Sequence, residues 1–504
     1  MSISTRLGPL LHSAAAHARA TGAPVLACAV LRVDEVDPLD VATAEVVHAY
    51  DRMYWSRPSE HFAMAGIGAA MTFAASGADR FAVTDHAWRA LLESAIVDDS
   101  DVDGVYASTD SSASRGIGPT LLGGFAFDPD GPRSAQWSAF PATSLQLPRL
   151  LVTAIDGACW LTASVLVDSN GASDVELAAL DTLWSALLSS PTRHRARRDV
   201  VAPSHAPLSY DDARAPVEWR GLVATAVREI RAGAMEKVVL AREVRAHATD
   251  DAALDVGAML HSLRVAHPDC FVFGCWRDGD AFVGASPERL VQLRVGEVRA
   301  STLAGSVRRG TTADDDAALA ARLLVSEKDR GEHEVVRRAL CAALDELCDD
   351  VSAPHEPSLL TLANVHHLHT PVRATLRPGG SLLALVARIH PTPAVGGEPR
   401  NAALRFIREH ERLDRGWYAA PIGWVQRDRG EFAVALRSAL VTSRTASLFA
   451  GCGIVADSDP DREYAESLLK LRPIKHALAA ALAASDDGDD DDDAVEEMVA
   501  ESAS

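Results

Sequence analysis

The chain contains 504 residues, 48% of them hydrophobic, and its 49 basic and 70 acidic side chains leave a formal net charge of −21. A balance this acidic argues against a protein that binds nucleic acid, and no run of about eighteen apolar residues predicts a membrane-spanning helix. Seven scattered cysteines without a C-x-x-C pair argue against a disulfide framework or a zinc box and indicate a reducing, cytoplasmic environment.

The amino-terminal region, residues 1–190, is predicted to be a scaffold. Its first stretch, MSISTRLGPLLHSAAAHARA, lacks the pattern of a signal peptide and predicts a helix. No charged group in this region has a partner at a diagnostic spacing. Apolar runs and periodicity predict a strand at 24–33, two strands within 53–70, a helix at 82–97, a strand at 121–130, a hairpin at 150–167 and a helix at 177–189.

A polar, basic, proline-containing segment at 191–211 predicts a linker, and a second region follows at 212–484. There the strands and helices alternate irregularly, which favours an α+β fold over a doubly wound parallel sheet. The predicted elements are a helix at 219–232, a strand at 237–244, a helix at 252–265, strands between 271 and 303, and helices at 315–324 and 332–347.

The last residues, 485–504, form a low-complexity acidic tail, SDDGDDDDDAVEEMVAESAS. So many like charges with so little apolar content predict disorder. The tail is interpreted as a solubilising end, and a docking segment for a basic partner is the alternative.

The most informative stretch is AFVGASPERLVQLRVGEVRASTLAGSVRRG, residues 281–310. Three strand-like runs are separated by a break at Ser286-Pro287 and a turn at Gly296, and a glycine bend closes the stretch at Gly305-Ser306. The break presents Glu288, and the bend could offer backbone N–H groups to an anion. A carboxylate beside an anion site indicates a functional cleft.

The phrases GASPERL and LAGSVRRG resemble the chorismate-utilising enzymes, which include isochorismate, salicylate, anthranilate and aminodeoxychorismate synthases. Further motifs between residues 236 and 470 follow in that family's order, and YWSRP and GGFAFDP in the first region are similar more loosely. The resemblance implies one large α+β unit with two antiparallel sheets packed face to face, helices outside and the active site in a cleft.

Lys237 heads the apolar strand KVVLAREV, and a desolvated lysine can act as a base near neutral pH. Glu288 follows Pro287, and a buried carboxyl can stay protonated and donate to a leaving oxygen. The alternatives are a solvated strand-end lysine and a surface glutamate paired with Arg289. The resemblance implies that Lys237 is the general base and Glu288 the general acid.

Two acidic motifs predict a metal site. In SEKDRGEHEVV, Lys328, Asp329 and Glu332 lie on one side of a predicted helix, a pattern that is more often a solvated charged face. The resemblance makes Glu332 a Mg²⁺ ligand and places its partner, Glu466, in DPDREYAESLLK, with Glu463 beside it or behind it. Two carboxylates with substrate oxygens and water are typical of Mg²⁺.

The resemblance also implies a substrate pocket, and Arg437 and the N–H groups of AGCGIV are suited to hold a carboxylate. In NVHHLHT, adjacent strand residues face opposite ways, so the histidines do not form a metal box. The resemblance implies that only His367 lies at the site. Ser306 and Cys452 stand where the family often has Thr and Ala. The substrate-binding residues implied are Gly305, Ser306, His367, Thr392, Ala394, Val395, Tyr418, Arg437, Gly451, Cys452, Gly453 and Lys470.

Within the family, Lys237 favours the enzymes that use water, and the loop HPTPAVGG favours isochorismate synthase. The expected activity is Mg²⁺-dependent conversion of chorismate to isochorismate, by water addition at C2 with loss of the C4 hydroxyl. A salicylate synthase and a non-catalytic chorismate-binding or adaptor protein are the alternatives. A cytoplasmic monomer without a glutamine amidotransferase subunit is expected, supplying either menaquinone or siderophore biosynthesis.

Overall fold

The computed structural model describes residues 2–102, 114–171, 174–190, 208–248, 253–362 and 365–486. The predicted tail from residue 487 onward and the predicted linker residues 191–207 lie outside this range. The last residues assigned to the linker, 208–211, instead belong to a strand, because they pair with the strand that begins at Lys237.

Eleven helices are described, and their positions agree with most of the sequence predictions. The predicted helix at 82–97 ends at Glu93, and residues 96–98 form a strand instead. The helices are α1 Ile3–Thr21, α2 Pro38–Thr43, α3 Arg80–Glu93, α4 Asp174–Ser189, α5 Pro216–Arg231, α6 Val256–Ala266, α7 Ala313–Val325, α8 Glu327–Asp345, α9 Leu382–Ile389, α10 Arg400–Phe406 and α11 Pro460–Asp486.

The described strands are almost all antiparallel, as expected for this fold class. They are β1 Val25–Val33, β2 Arg52–Arg57, β3 Phe62–Phe73, β4 Ile96–Asp98, β5 Leu121–Phe125, β6 Thr143–Ile155, β7 Ala158–Val167, β8 Leu208–Asp212, β9 Lys237–Ala248, β10 Phe271–Arg277, β11 Asp280–Ser286, β12 Arg289–Arg294, β13 Glu297–Arg308, β14 Cys348–Ser352, β15 Ser358–Thr361, β16 Val365–Leu376, β17 Gly397–Glu398, β18 Pro421–Val425, β19 Arg429–Val434, β20 Ser438–Val441 and β21 Thr445–Ile454.

The two antiparallel sheets expected from the sequence form one continuous hydrogen-bonded sheet with two arms, and both arms begin at β6. The first half of β6 pairs with β5 and its second half with β7, while β3 runs along its other edge. The first arm continues through β3, β2, β10, β11, β20 and β21 to β9, and the second through β5, β18, β19, β12 and β13 to β16. Each arm therefore begins with strands of the amino-terminal region and continues with strands of the carboxyl-terminal region.

The main core lies between the arms, where Phe62 of β3 and Trp424 of β18 bring their ring centroids to 5.9 Å. Strand periodicity explains the layering, because Phe271 and Phe273 face this core while Val272 faces the other side. There a second core packs against α1, α4, α6 and α11. No helix in the described part of the chain is both long enough and apolar enough to span a membrane.

Helix α8 carries one of the predicted metal motifs and begins at Glu327, as that motif indicated, although periodicity alone predicted a helix only from residue 332. Its N-cap is Ser326, whose Oγ accepts a hydrogen bond from the N–H of Asp329 at 3.3 Å. The cap starts the helix at Glu327, so that Asp329 and Glu332 lie in its first turns. The helix packs on β13 and β16 of the second arm.

Candidate active site

One cavity gathers most of the predicted site residues from the carboxyl-terminal region. It lies where β9, β21, the break before β12, the start of α8 and the start of α11 meet. Two predicted residues, Thr392 and Cys452, do not line it. The predicted residues that do are Lys237, Glu288, Gly305, Ser306, Glu332, His367, Ala394, Val395, Tyr418, Arg437, Gly451, Gly453, Glu463, Glu466 and Lys470.

Lys237 begins β9 and is buried, with 1% of its surface exposed. Its surroundings are not purely apolar as predicted, because its Nζ lies 2.8 Å from Oε1 of Glu332. Burial opposes ionisation of Glu332, yet Lys237, Lys470 and Lys328 together lower the pKa of that carboxyl. This ion pair holds one predicted catalytic group against one predicted metal ligand.

Glu288 is buried in the same cavity, with 6% of its surface exposed. Burial raises its pKa to about 7, although Lys237 and Lys470 act in the opposite direction. The alternative of a surface glutamate paired with Arg289 is wrong, because Arg289 Nε contacts Glu431 Oε1 at 2.6 Å. Glu288 therefore keeps its proton over a range in which an ordinary glutamate is ionised.

Glu463 and Glu466 face the cavity from one side of α11. Oxygens of both carboxylates and Sγ of Cys452 lie within 4.8 Å of one another. Burial and the charge of Glu466 raise the pKa of Glu463 to about 7, and the nearest cations are Lys328, 3.6 Å from Glu463, and Lys470, 2.8 Å from Glu466. Glu463 thus lies beside Glu466 rather than behind it.

These carboxylates fit a divalent cation. Two glutamates close enough to raise the pKa of one of them form a site where a positive charge would relieve their repulsion. Carboxylate oxygens suit a hard ion such as Mg²⁺. A thiol does not, and Cys452 Sγ lies 3.2 Å from the carbonyl oxygen of Glu463 instead. The donor set therefore supports Mg²⁺ bound through glutamates, without the cysteine.

Arg437 and His367 contact each other in the cavity wall. Burial, with the charges of Arg437 and Lys470, lowers the pKa of His367 to about 3, so the ring is neutral. Its Nε2 lies 3.5 Å from Nη2 of Arg437 and acts as the acceptor, because a guanidinium only donates. His366 faces the other way and contacts Asp316 at 2.9 Å, as expected from alternation along the strand.

The backbone donors of β21 number two rather than the three predicted. The N–H of Val239 donates to the carbonyl of Gly396, and the N–H of Ala241 donates to a carboxylate oxygen of Glu411, so neither donates to β21. Gly453 and Gly451, which lie opposite them, therefore form non-hydrogen-bonded pairs. Their N–H groups point to the open edge of β21. Cys452 is opposite Leu240 and directs its N–H into the ladder, so its assignment as a substrate contact is wrong.

The predicted glycine bend at Gly305 is a β-bulge within β13, which continues to Arg308. Gly305 has φ +75°, and an added Cβ would lie 3.0 Å from Cβ of Asp329 on α8. Glycine is required here by both the left-handed backbone and the close approach of the helix. The bulge turns Gly305 and Ser306 into the cavity wall.

A sequence profile of the family described as "Chorismate binding enzyme" matches residues 12–479. The chain belongs to this family. Among its relatives, a salicylate biosynthesis isochorismate synthase from Pseudomonas aeruginosa is 39% identical over 487 residues, covering 94% of this chain and 97% of that protein. Isochorismate synthase MenF from Bacillus subtilis is 36% identical over 453 residues, covering 89% and 92% respectively.

Solved structures of similar proteins confirm the predicted fold of this chorismate-binding enzyme. The menaquinone-specific isochorismate synthase MenF from Escherichia coli has a TM-score of 0.72 at 25% identity, over 94% of this chain and 99% of that one. Anthranilate synthase component I from Streptococcus pneumoniae shares the fold with a TM-score of 0.59 at 23% identity, over 70% and 80%.

In this chorismate-binding enzyme, Thr392 supports the cavity wall from behind. We call residues 390–397 the wall loop. Oγ1 of Thr392 accepts a hydrogen bond from the N–H of Ala394 at 3.2 Å, and its carbonyl accepts from Val395 at 3.1 Å. This turn aims Ala394 and Val395 at the cavity and turns Thr392 away, so the prediction of Thr392 as a wall residue is wrong.

Arg415 also lines the cavity, and sequence reasoning missed it. Its side chain is buried with that of Glu411, and the two form an ion pair with an Nη2–Oε2 distance of 2.6 Å. A signal was present, since ERLDR places opposite charges four residues apart, as in a helical pair. Surface pairs share this spacing, so the pattern alone did not indicate burial.

Proposed function

We infer that the chain is an isochorismate synthase that converts chorismate to isochorismate. One observation supports this above the others: buried Lys237 and buried Glu288 share a cavity with the paired carboxylates of α11. Relatives that are isochorismate synthases, 39% and 36% identical over most of the chain, support the same activity.

Lys237 is proposed as the base that takes a proton from the water attacking C2. Glu288 is proposed as the acid that gives its proton to the C4 hydroxyl, which leaves as water while the ring double bonds shift. The raised pKa of Glu288, about 7 because of burial, supports the acid role. Added water and lost water balance, so the reaction is an isomerisation.

Arg437, Tyr418 and Lys470 are proposed to hold a substrate carboxylate with the N–H groups of Gly451 and Gly453. The charge-assisted donors on these side chains are suited to an anion. Glu332, Glu463 and Glu466 are proposed to hold Mg²⁺, which when bound supplies positive charge to the substrate's other carboxylate. Cytoplasmic location and a monomeric state are proposed from the sequence alone.

The test is purified protein with chorismate and Mg²⁺, with the products separated by chromatography. Isochorismate as the sole product is expected. Salicylate with an equal amount of pyruvate would support the alternative of a salicylate synthase. Unchanged chorismate would contradict an enzymatic role altogether.

Replacing Glu466 with glutamine is expected to weaken Mg²⁺ binding and to stop turnover. Even residues behind metal ligands typically cost about 10–100-fold when replaced, so we expect roughly 10²-fold or more here. Calorimetric titration with Mg²⁺ measures the affinity independently of activity. Asp461→Asn, on the exposed side of the same helix, is the matched control. Wild-type turnover that persists in EDTA would contradict the metal assignment.

Replacing Gly453 with alanine is expected to separate Lys237 from Glu332. The new Cβ would lie 2.6 Å from Oε1 of Glu332 and 2.8 Å from Cε of Lys237. Misplaced reacting groups lower kcat by on the order of 10²-fold. Gly221→Ala, which adds a methyl group in open space, is the control and should keep wild-type kcat. Equal kcat in both variants would mean that the pair is not needed for turnover.

A further inference from the structure

Arg415 is a buried arginine whose donors are already used by the protein. Its Nε and Nη2 donate to the two carboxylate oxygens of Glu411 at 2.7 and 2.6 Å. Its Nη1 donates to the carbonyl of Val395 at 2.9 Å, and Nη2 donates also to the carbonyl of Val239 at 2.8 Å. A guanidinium has five N–H groups. With four of these engaged, Arg415 is suited to hold protein elements together rather than to bind substrate.

The elements that Arg415 joins are two adjoining walls of the cavity. Val239 follows Lys237 on β9, and Val395 follows Ala394 on the wall loop. Glu411 adds a second link to β9, because its Oε2 accepts the N–H of Ala241 at 2.8 Å. The buried ion pair of Arg415 and Glu411 thus fixes the corner between β9, which carries Lys237, and the wall loop.

Phe127 from the amino-terminal region completes this corner. The guanidinium of Arg415 lies 4.3 Å from the centroid of the Phe127 ring. The N–H of Phe127 donates to the carbonyl of Gly416 at 2.8 Å, and its own carbonyl lies 2.9 Å from Nε2 of His390, the first residue of the wall loop. Phe127 therefore contacts Arg415, the residue after it and the start of the wall loop.

We propose that Arg415, held by Glu411 and Phe127, is a positioning residue that sets where the wall loop stands relative to Lys237. The inference rests on the proposed isomerase activity, since it concerns how the ring is held against the base. Small displacements of reacting groups change rates far more than affinities. Loss of the contacts of Arg415 is therefore expected to lower kcat, while the groups proposed to bind the substrate carboxylates stay in place.

The test is Arg415→Lys, which keeps a charge beside Glu411 but cannot reach both backbone carbonyls and Glu411 from one nitrogen. We expect kcat to fall roughly 10²-fold, with KM for chorismate within about threefold of wild type. Arg408→Lys is the matched control. Arg408 forms a bidentate ion pair with Asp128, the residue after Phe127, and does not line the cavity. It should keep wild-type kinetics, and its melting temperature is the reference for Arg415→Lys.

A folded Arg415→Lys variant with wild-type kcat would overturn the inference, as would an increase in KM at unchanged kcat. If Arg415→Lys does not fold, Phe127→Leu decides, because it removes only the ring beneath the guanidinium: a lower kcat supports the inference and wild-type kcat overturns it. A wild-type protein that does not convert chorismate would overturn the proposed function and this inference with it.

Discussion

Replacing Lys237 with alanine is expected to lower the turnover of chorismate by about 10²–10⁴-fold, the usual contribution of a general base. Lys237 is buried, and its Nζ lies 2.8 Å from Oε1 of Glu332, a proposed metal ligand. Affinity for chorismate should persist, because Arg437, Tyr418 and Lys470 still hold its carboxylate in the proposed pocket. Turnover and equilibrium binding of chorismate are the two measurements.

Lys237→Gln is the companion variant, because an amide still donates to Glu332 but cannot accept the proton of water. It should be as inactive as Lys237→Ala while melting nearer to wild type. Lys475→Ala is the control for loss of a lysine, because Lys475 does not line the cavity and its Nζ instead lies 4.0 Å from the centroid of the Tyr210 ring. Isochorismate formed at the wild-type rate by Lys237→Ala would refute its role as base. Loss of chorismate binding would make Lys237 an anion contact.

Replacing Glu288 with glutamine is expected to reduce turnover on a similar scale, about 10²–10⁴-fold. Glutamine fills nearly the same space in this buried position and removes only the acidic proton. Melting temperature and chorismate affinity should therefore stay close to those of the wild type. Single-turnover rates are the measurement, and a variant that retained the wild-type rate would show that the C4 hydroxyl leaves without help from Glu288.

The pH dependence of turnover provides a separate check on Glu288. Burial raises its pKa to about 7. The acid is active while protonated, so its contribution is present below that pH and is lost as the pH rises through about 7. We expect kcat of the wild type to fall along this alkaline limb and the limb to be absent from the residual rate of Glu288→Gln. An identical limb in both proteins would assign it to another group.

The order of elements and most of the cavity were predictable from the sequence. Strand breaks and turns are marked by local residues, as at Ser286-Pro287 and Gly296, so the strands predicted between 271 and 303 lie where expected, although the last one continues to Arg308. The family's motifs predicted that Lys237, Glu288, Glu332 and Glu466 share one site, and all four line the cavity.

The local sequence does not predict whether an individual N–H group or side chain points towards the cavity or away from it. Cys452 lies between two glycines that face the cavity, and only the register with β9 shows that its N–H enters the ladder. Thr392 shares a short loop with Ala394, and the turn that separates them depends on hydrogen bonds within the folded loop. Arg415 was missed for a related reason, since its partners Val239 and Val395 come from distant parts of the chain.

The pairing of early strands with late strands in both arms of the sheet also affects how the chain folds during synthesis. During synthesis, β2 and β5 leave the ribosome well before their later partners, because β2 pairs with β10 and β5 pairs with β18. Each therefore keeps one open edge until much of the remaining chain has been translated. Open edges are templates for pairing with other chains, and such long-range pairing is slow to form. Nascent chains of this enzyme are thus expected to depend on chaperones until β18 emerges.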